Sequence, residues 1–357
     1  MRIFYAYRDA PERRVALAAP KASLERYRLF GLDEMAARGA AVQHNLDRPV
    51  PAWARIADRI LNRLVYGSGG YGGDFASVLA SLRAINAADV VLSTVDTVGI
   101  PLVLLERLRV VRTPIVYVAI GLPERLVQLR RLAGLYRRAL GDARVLVSYA
   151  ESEAEWLRAW LGPGAQVAFV PFGVDTRAFR PLERPAEFDV VSIGADPRRD
   201  FALLATVAAR RPEIGFHLVA SAEHARSFGE LPPNVSVETD IPLDAVRDRL
   251  AAARVVALPV RENSYSGATT TLLQAMAMAK PVVVSRTDAV ASGYGLEDGV
   301  NCRLVPPGDA DGLERSLLDL LAGADAATAL GIRARETVER SLSWERYTDA
   351  LWKLLSI

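Results

Sequence analysis

The feature that most constrains the fold is an alternation repeated along the chain. Short runs rich in Val, Ile and Tyr recur at residues 2–7, 88–93, 114–120, 144–148 and 167–170. They recur again at 189–193, 215–219, 234–237, 254–260 and 281–285. Amphipathic stretches at 24–38, 74–85, 152–161, 201–210, 243–252 and 269–279 lie between them. Brief apolar runs separated by helical periodicity predict parallel strands joined by crossover helices, an α/β architecture. The pattern occurs twice, and a segment with two prolines and a glycine at 171–181 separates the two occurrences. A chain of 357 residues fits two domains of ordinary size. The expected bounds are 1–172, 173–342 and a closing helical segment at 343–357.

Composition narrows the class. With 51% hydrophobic residues and a net charge of +2, the chain can bury a core, which excludes a disordered polymer. No apolar run approaches the ~18 residues of a membrane span. Asp9, Glu12, Arg13 and Arg14 stand where a signal peptide would be apolar, so a cytoplasmic protein is expected. One cysteine, Cys302, excludes an internal disulfide, and three dispersed histidines (His44, His217, His224) show no metal-ligand spacing. Residues 1–175 hold 23 basic against 17 acidic residues, the remainder 21 against 25. That excess is too dilute for a nucleic-acid surface. Only Lys21, Lys280 and Lys353 are lysines, so anion recognition would rest on arginine, although GC-rich coding produces the same bias.

Two motifs imitate functional sites and are better explained structurally. The glycine-rich stretch 67–73 follows a helical segment rather than a strand, so it reads as a flexible helix–helix connection instead of a phosphate loop. Asp309-Ala310-Asp311 spells a metal-binding string but precedes an apolar-periodic helix, where an N-cap is the simpler role. No metal is expected. Residues 124–144 interleave Arg125, Arg130, Arg131, Arg137, Arg138 and Arg144 with leucines. This reads as one basic amphipathic helix, either a solvated face or a peripheral contact with anionic lipid.

Two loops in the second half carry the chemistry. In the first, a strand ends at Gly194 and a helix begins near Asp200, which puts Arg198 and Arg199 at a strand's carboxyl end. Open α/β sheets bind ligands there, and adjacent guanidinium groups suit a diphosphate. In the second, a strand ending near Val260 runs through Arg261-Glu262-Asn263-Ser264-Tyr265-Ser266-Gly267-Ala268 into a helix from Thr269. Small residues at Ser266, Gly267 and Ala268 admit a close ligand, and the free amides near Thr269 and Thr270 favour an anion.

At these residues the chain resembles glycosyltransferase family 4, retaining nucleotide-sugar enzymes of GT-B fold. Gln274-Ala-Met-Ala-Met-Ala-Lys-Pro-Val-Val is similar to that family's Glu-Ala-Met-Ala-x-Gly-x-Pro-Val-Val segment. Residues 170–181 resemble its interdomain hinge, 298–309 its late loop and 31–40 its first helix. The resemblance covers nearly the whole chain and is strongest from about 167 to 307. It implies two Rossmann-like domains facing a central cleft, an N-terminal acceptor domain, a C-terminal donor domain, and a final helix crossing back to the first.

The resemblance also assigns roles. Arg198 and Arg199 would hold the diphosphate of a UDP- or GDP-sugar, with Arg199 nearest the family's lysine. Gln274 would meet the ribose, while Glu262, Ser266 and Gly121 would orient the sugar. No cofactor beyond this co-substrate is implied, and the acceptor would be a glycan, a lipid-linked sugar or a small molecule. The family's two glutamates fall on Ser266 and Gln274, and Gly121 stands where its N-domain histidine often occurs. A catalytically silent GT-B binding or partner subunit is therefore the alternative.

Overall fold

A computed structural model describes residues 1–129, 131–265 and 267–356, organised as two compact units. The first comprises 1–170 with the chain's C-terminal segment from Thr348, and the second comprises 171–347. These limits stand against the expected 172/173 and 342/343.

The first unit is a six-stranded parallel sheet of β1 (Arg2–Ala6), β2 (Ala41–His44), β3 (Val90–Ser93), β4 (Ile115–Ala119), β5 (Val145–Ser148) and β6 (Val167–Phe169), in order β2-β1-β3-β4-β5-β6. Buried on both faces, β3, β4 and β5 are the continuous Val/Ile runs that made them legible. Helix Asp96–Arg107 keeps Val98, Ile100, Leu102 and Val103 fully buried. The order reverses between β1 and β3, which opens the ligand-binding crevice of such sheets at their carboxyl ends.

The second unit holds β7 (Phe188–Ile193), β8 (Phe216–Ala220), β9 (Val235–Thr239), β10 (Ala253–Leu258), β11 (Val282–Ser285) and β12 (Arg303–Val305). All are parallel, in order β12-β11-β10-β7-β8-β9. Its first strand thus lies beside its fourth, the doubly wound nucleotide-binding order. Reversal falls between β7 and β10, so the loops leaving these two strands share the crevice.

The structure corrects three local expectations. Residues 24–38 are not one helix: a 3-10 turn, Leu24–Leu29, is followed by left-handed Phe30 and Gly31 and then helix Leu32–Ala37. Arg26 fastens this bend by pairing with Asp33 and donating to the carbonyls of Ala16, Leu17 and Ala19. Residues 124–144 are not one amphipathic helix but helices Leu122–Leu126 and Ala133–Asp142, ended by β5. Their apolar residues Leu126, Leu129 and Tyr136 belong to the core, and Arg130 lies outside the described residues. The glycine-rich stretch joins helices Ala52–Gly67 and Phe75–Ile85, yet it is tightly packed. A Cβ on Gly73 would stand 2.2 Å from the Thr97 carbonyl, and Tyr71 N donates to Tyr136 Oη at 2.8 Å.

Candidate functional site

At the end of β7 the chain turns at Gly194 because the Arg199 side chain folds back beneath it. A Cβ there would lie 2.1 Å from Arg199 Nε. Arg199 is 1% exposed and donates to the Ile193 carbonyl, while its Nε and one terminal nitrogen are buried without a partner. Burial draws this guanidinium down to about 10, opposed by nearby Asp196. Arg198 is half-buried. The two arginines therefore differ in environment, one withdrawn and one at the surface, where the sequence suggested a side-by-side pair.

Asp200 caps helix Phe201–Arg210 by accepting the Leu203 amide at 3.3 Å. The loop after β7 is stitched to the loop after β10. Asp200 N donates to the Pro259 carbonyl at 3.0 Å, and Arg261 N donates to the Arg198 carbonyl at 2.8 Å. Asp196 Oδ1 accepts the Arg198 amide at 2.7 Å and the Tyr265 hydroxyl at 3.0 Å. A Cβ on Gly267 would approach the Asp196 carboxyl to 3.3 Å. Ser285 Oγ, at the end of β11, accepts the Val260 amide at 2.9 Å and holds the second loop from behind.

That loop delivers helix Thr269–Ala277, whose cap residue Ala268 has no side chain to accept the first amides. The Thr269 hydroxyl is buried without a partner. Such an end presents donors and a partial positive charge. Gly194, Arg198, Arg199, Gly267, Ala268, Thr269 and Thr270 are thus brought to one crevice mouth. Gln274 sits one turn beyond Thr270 on the same helix and is buried, whereas Glu262 is exposed. Ser266 lies outside the described residues. Gly121 belongs to the first unit, where its left-handed backbone starts helix Leu122–Leu126.

Several site residues escaped the sequence reading. Asp196 and Tyr265 join the loops, and a loop residue's partner 69 positions away leaves no local signature. A cavity of about 240 Å³ beside Arg199 and Arg261 is lined by Phe201, His224 and Phe228, whose rings lie 5.1–5.6 Å apart. Another of about 280 Å³ opens at the amino ends of β7, β8 and β9, away from the ends that carry this chemistry.

The first unit holds two buried carboxyls at its strand ends. Asp96 accepts the Tyr117 hydroxyl at 2.8 Å, and burial pushes it up to about 7 against that bond. Glu153 accepts the Leu122 amide at 3.0 Å and contacts Ser148 Oγ at 2.6 Å. Burial, reinforced by Asp96, raises it to about 8. Asp309 Oδ1 caps its helix by accepting the Gly312 amide at 2.9 Å, and Asp311 pairs with Arg210 at 2.7 Å. Among the described residues, no group of three or more His, Cys, Asp or Glu is placed to hold a metal ion. Likewise no helix among them is long and apolar enough to cross a membrane.

Comparison with known proteins agrees with the fold. Residues 199–323 match the family model described as Glycosyl transferases group 1. Over 191 residues the chain is 32% identical to the MMP alpha-(1->4)-mannosyltransferase of Mycolicibacterium hassiacum, covering 50% of this chain and 46% of that one. The chain spans about half the length of the curated relatives it matches first. Sucrose-phosphate synthase from Thermosynechococcus elongatus superposes with a TM-score of 0.74 at 18% identity, covering 99% of this chain and 98% of that one. Anabaena HepE in complex with UDP-glucose superposes at 0.72 and 15% identity, covering 100% and 99%. The chain has the two-sheet α/β fold of these glycosyltransferase structures, and its residues 199–323 match the group 1 glycosyl transferase family.

Proposed function

We propose that the protein transfers a sugar from a UDP- or GDP-sugar to an acceptor hydroxyl with retention of configuration and without a metal. The observation that carries this reading is the stitching of the loops after β7 and β10 across the sheet's switch point, which gathers arginines and free helix amides. A related mannosyltransferase and a UDP-glucose complex of similar fold support a nucleotide-sugar donor.

In this reading the bond between the anomeric carbon and the diphosphate oxygen breaks, the acceptor hydroxyl's oxygen takes the carbon, and its proton passes to the departing diphosphate. The protein's main task is stabilising charge that develops on the leaving diphosphate. The amides at Gly267–Thr270 and the Arg198 guanidinium face that charge. The unpartnered nitrogens of Arg199 are donors held in reserve, since an anion would supply what burial denies them. Gln274 reaches the ribose through a neutral amide, and Glu262 and Ser266 orient the sugar. The aromatic cavity of Phe201 and Phe228 takes the base by stacking. The first unit, with Gly121 and the Asp96 and Glu153 carboxyls, presents the acceptor.

The second reading is a silent GT-B partner subunit. It is favoured by Gln274 and Ser266 standing where the resembling family has glutamates. Melting in the presence of nucleoside diphosphates and their sugars tests binding: a ligand at 100 times its dissociation constant adds about 2.7 kcal/mol. Release of nucleoside diphosphate from a donor sugar then tests catalysis. A shift without release establishes the partner reading, and no shift with any nucleotide removes both.

A further inference from the structure

Helix Ala52–Gly67 is oriented against the usual amphipathic rule. Two of its polar residues, Asp58 and Asn62, face inward. Asn62 exchanges hydrogen bonds with both backbone groups of Gly73 at 2.8 and 3.1 Å, and Asp58 Oδ1 accepts from Asn62 at 3.0 Å and from the Ala76 amide at 3.3 Å. Ala54, Leu61 and Val65 pack beside them on the unit's core.

The apolar residues of the outer face are left in solvent. Trp53, Ile56, Ile60 and Leu64, spaced three, four and four apart along one stripe, are 53–63% exposed. Arg55, Arg59 and Arg63 follow at intervals of four along the stripe's flank. All three are exposed, and none forms an ion pair among the described residues. The helix's one acid is the inward Asp58. At its end Tyr66, 53% exposed, meets Tyr71 edge-on at 6.5 Å, and the Arg125 guanidinium lies 4.2 Å above the Tyr71 ring.

We infer that this helix docks the protein onto an anionic lipid bilayer, its stripe entering the acyl boundary and its arginine row meeting phosphate headgroups. An apolar stripe edged by unpaired arginines fits an interface that is apolar below and negatively charged above. A second protein copy would instead bring the same uncompensated arginines face to face. The inference does not depend on sugar transfer.

The test uses the full chain with vesicles of phosphatidylcholine alone and of phosphatidylcholine mixed with phosphatidylglycerol. Sedimentation should show at least tenfold tighter binding to the mixed vesicles, weakened by salt. Ile60→Ser with Leu64→Ser should reduce that binding at least tenfold. Replacing Arg55, Arg59 and Arg63 by Gln should cost about fivefold per residue. All these positions are exposed, so melting temperatures should stay near wild type. Arg137→Gln with Arg138→Gln, basic residues outside the helix, should leave binding unchanged. Equal binding to neutral vesicles, absence of binding to the mixed ones, or an equal loss in the Arg137/Arg138 control overturns the inference. So does a dimer in sedimentation velocity that Ile60→Ser with Leu64→Ser dissolves.

Discussion

Tyr265 donates its phenolic hydroxyl to Asp196 at 3.0 Å and so ties the loop leaving β10 to the loop leaving β7. Their relative position rests on this bond, the backbone bonds around Arg198 and Pro259, and the Arg261–Asp200 ion pair at 3.8 Å. Tyr265→Phe removes one hydroxyl and little volume. A hydrogen bond to a charged group contributes about 1.5–3 kcal/mol, so nucleoside diphosphate affinity should fall about tenfold or more. Calorimetric titration checks this, and an unchanged affinity would mean the backbone bonds and the ion pair hold the crevice.

Arg199 makes a sharper case because its cost and its use separate. A buried, incompletely bonded guanidinium is expensive in the ligand-free protein. Arg199→Met keeps most of the volume and removes the charge. The ligand-free melting temperature should hold or rise, while nucleoside diphosphate affinity drops at least tenfold. Gly194→Ala should mimic this loss, since its Cβ would occupy the space of Arg199 Nε. The two losses should not add in the double variant. Full additivity in a calorimetric cycle would show that Gly194 acts some other way.

The parts of the fold readable beforehand were those whose burial imposes composition. β3, β4, β7 and β10 are nearly continuous Val/Ile runs because both faces are covered. β2 was missed because it is an edge strand with alternating exposure, and β12 because three residues carry no period. Helix Asp96–Arg107, buried almost all round and containing Pro101, shows no amphipathic signal. The break at Phe30–Gly31 depends on Arg26 reaching carbonyls seven to ten residues back, which no local pattern reports. The crevice loops stood out by their small residues and arginines. That Arg199 turns inward follows only from the space Gly194 leaves.

Asp309 and Asp311 are both committed elsewhere, one to a helix cap and one to Arg210. Asp309→Asn keeps an acceptor for the Gly312 amide, and Asp311→Asn removes only an exposed ion pair, which contributes little to stability. Both variants should retain donor affinity and turnover, and both they and the wild type should be indifferent to EDTA. Loss of nucleotide binding on chelation, restored by added divalent cation, would return this segment to the site.

The two buried carboxyls of the first unit give the chain a measurable pH signature. Glu153 rises from its ordinary 4.5 to about 8 and Asp96 from 3.8 to about 7, both chiefly through burial. At these two groups the folded state binds more protons than the unfolded chain across that range, so their contribution to stability falls as pH increases. This decline should run from about pH 3.8 to 8 and level off above. Neutral Glu153 lets Oε1 accept the Leu122 amide while Oε2 bonds Ser148, and glutamine reproduces both contacts. Glu153→Gln should therefore flatten the upper part of the decline and make the protein more stable than wild type at pH 8. Asp96→Asn should flatten the lower part and also draw Glu153 downward, since Asp96 helps raise it. Melting curves at half-unit pH steps decide the matter. A wild-type slope unchanged by Glu153→Gln would show that this carboxyl is ionised in the folded state.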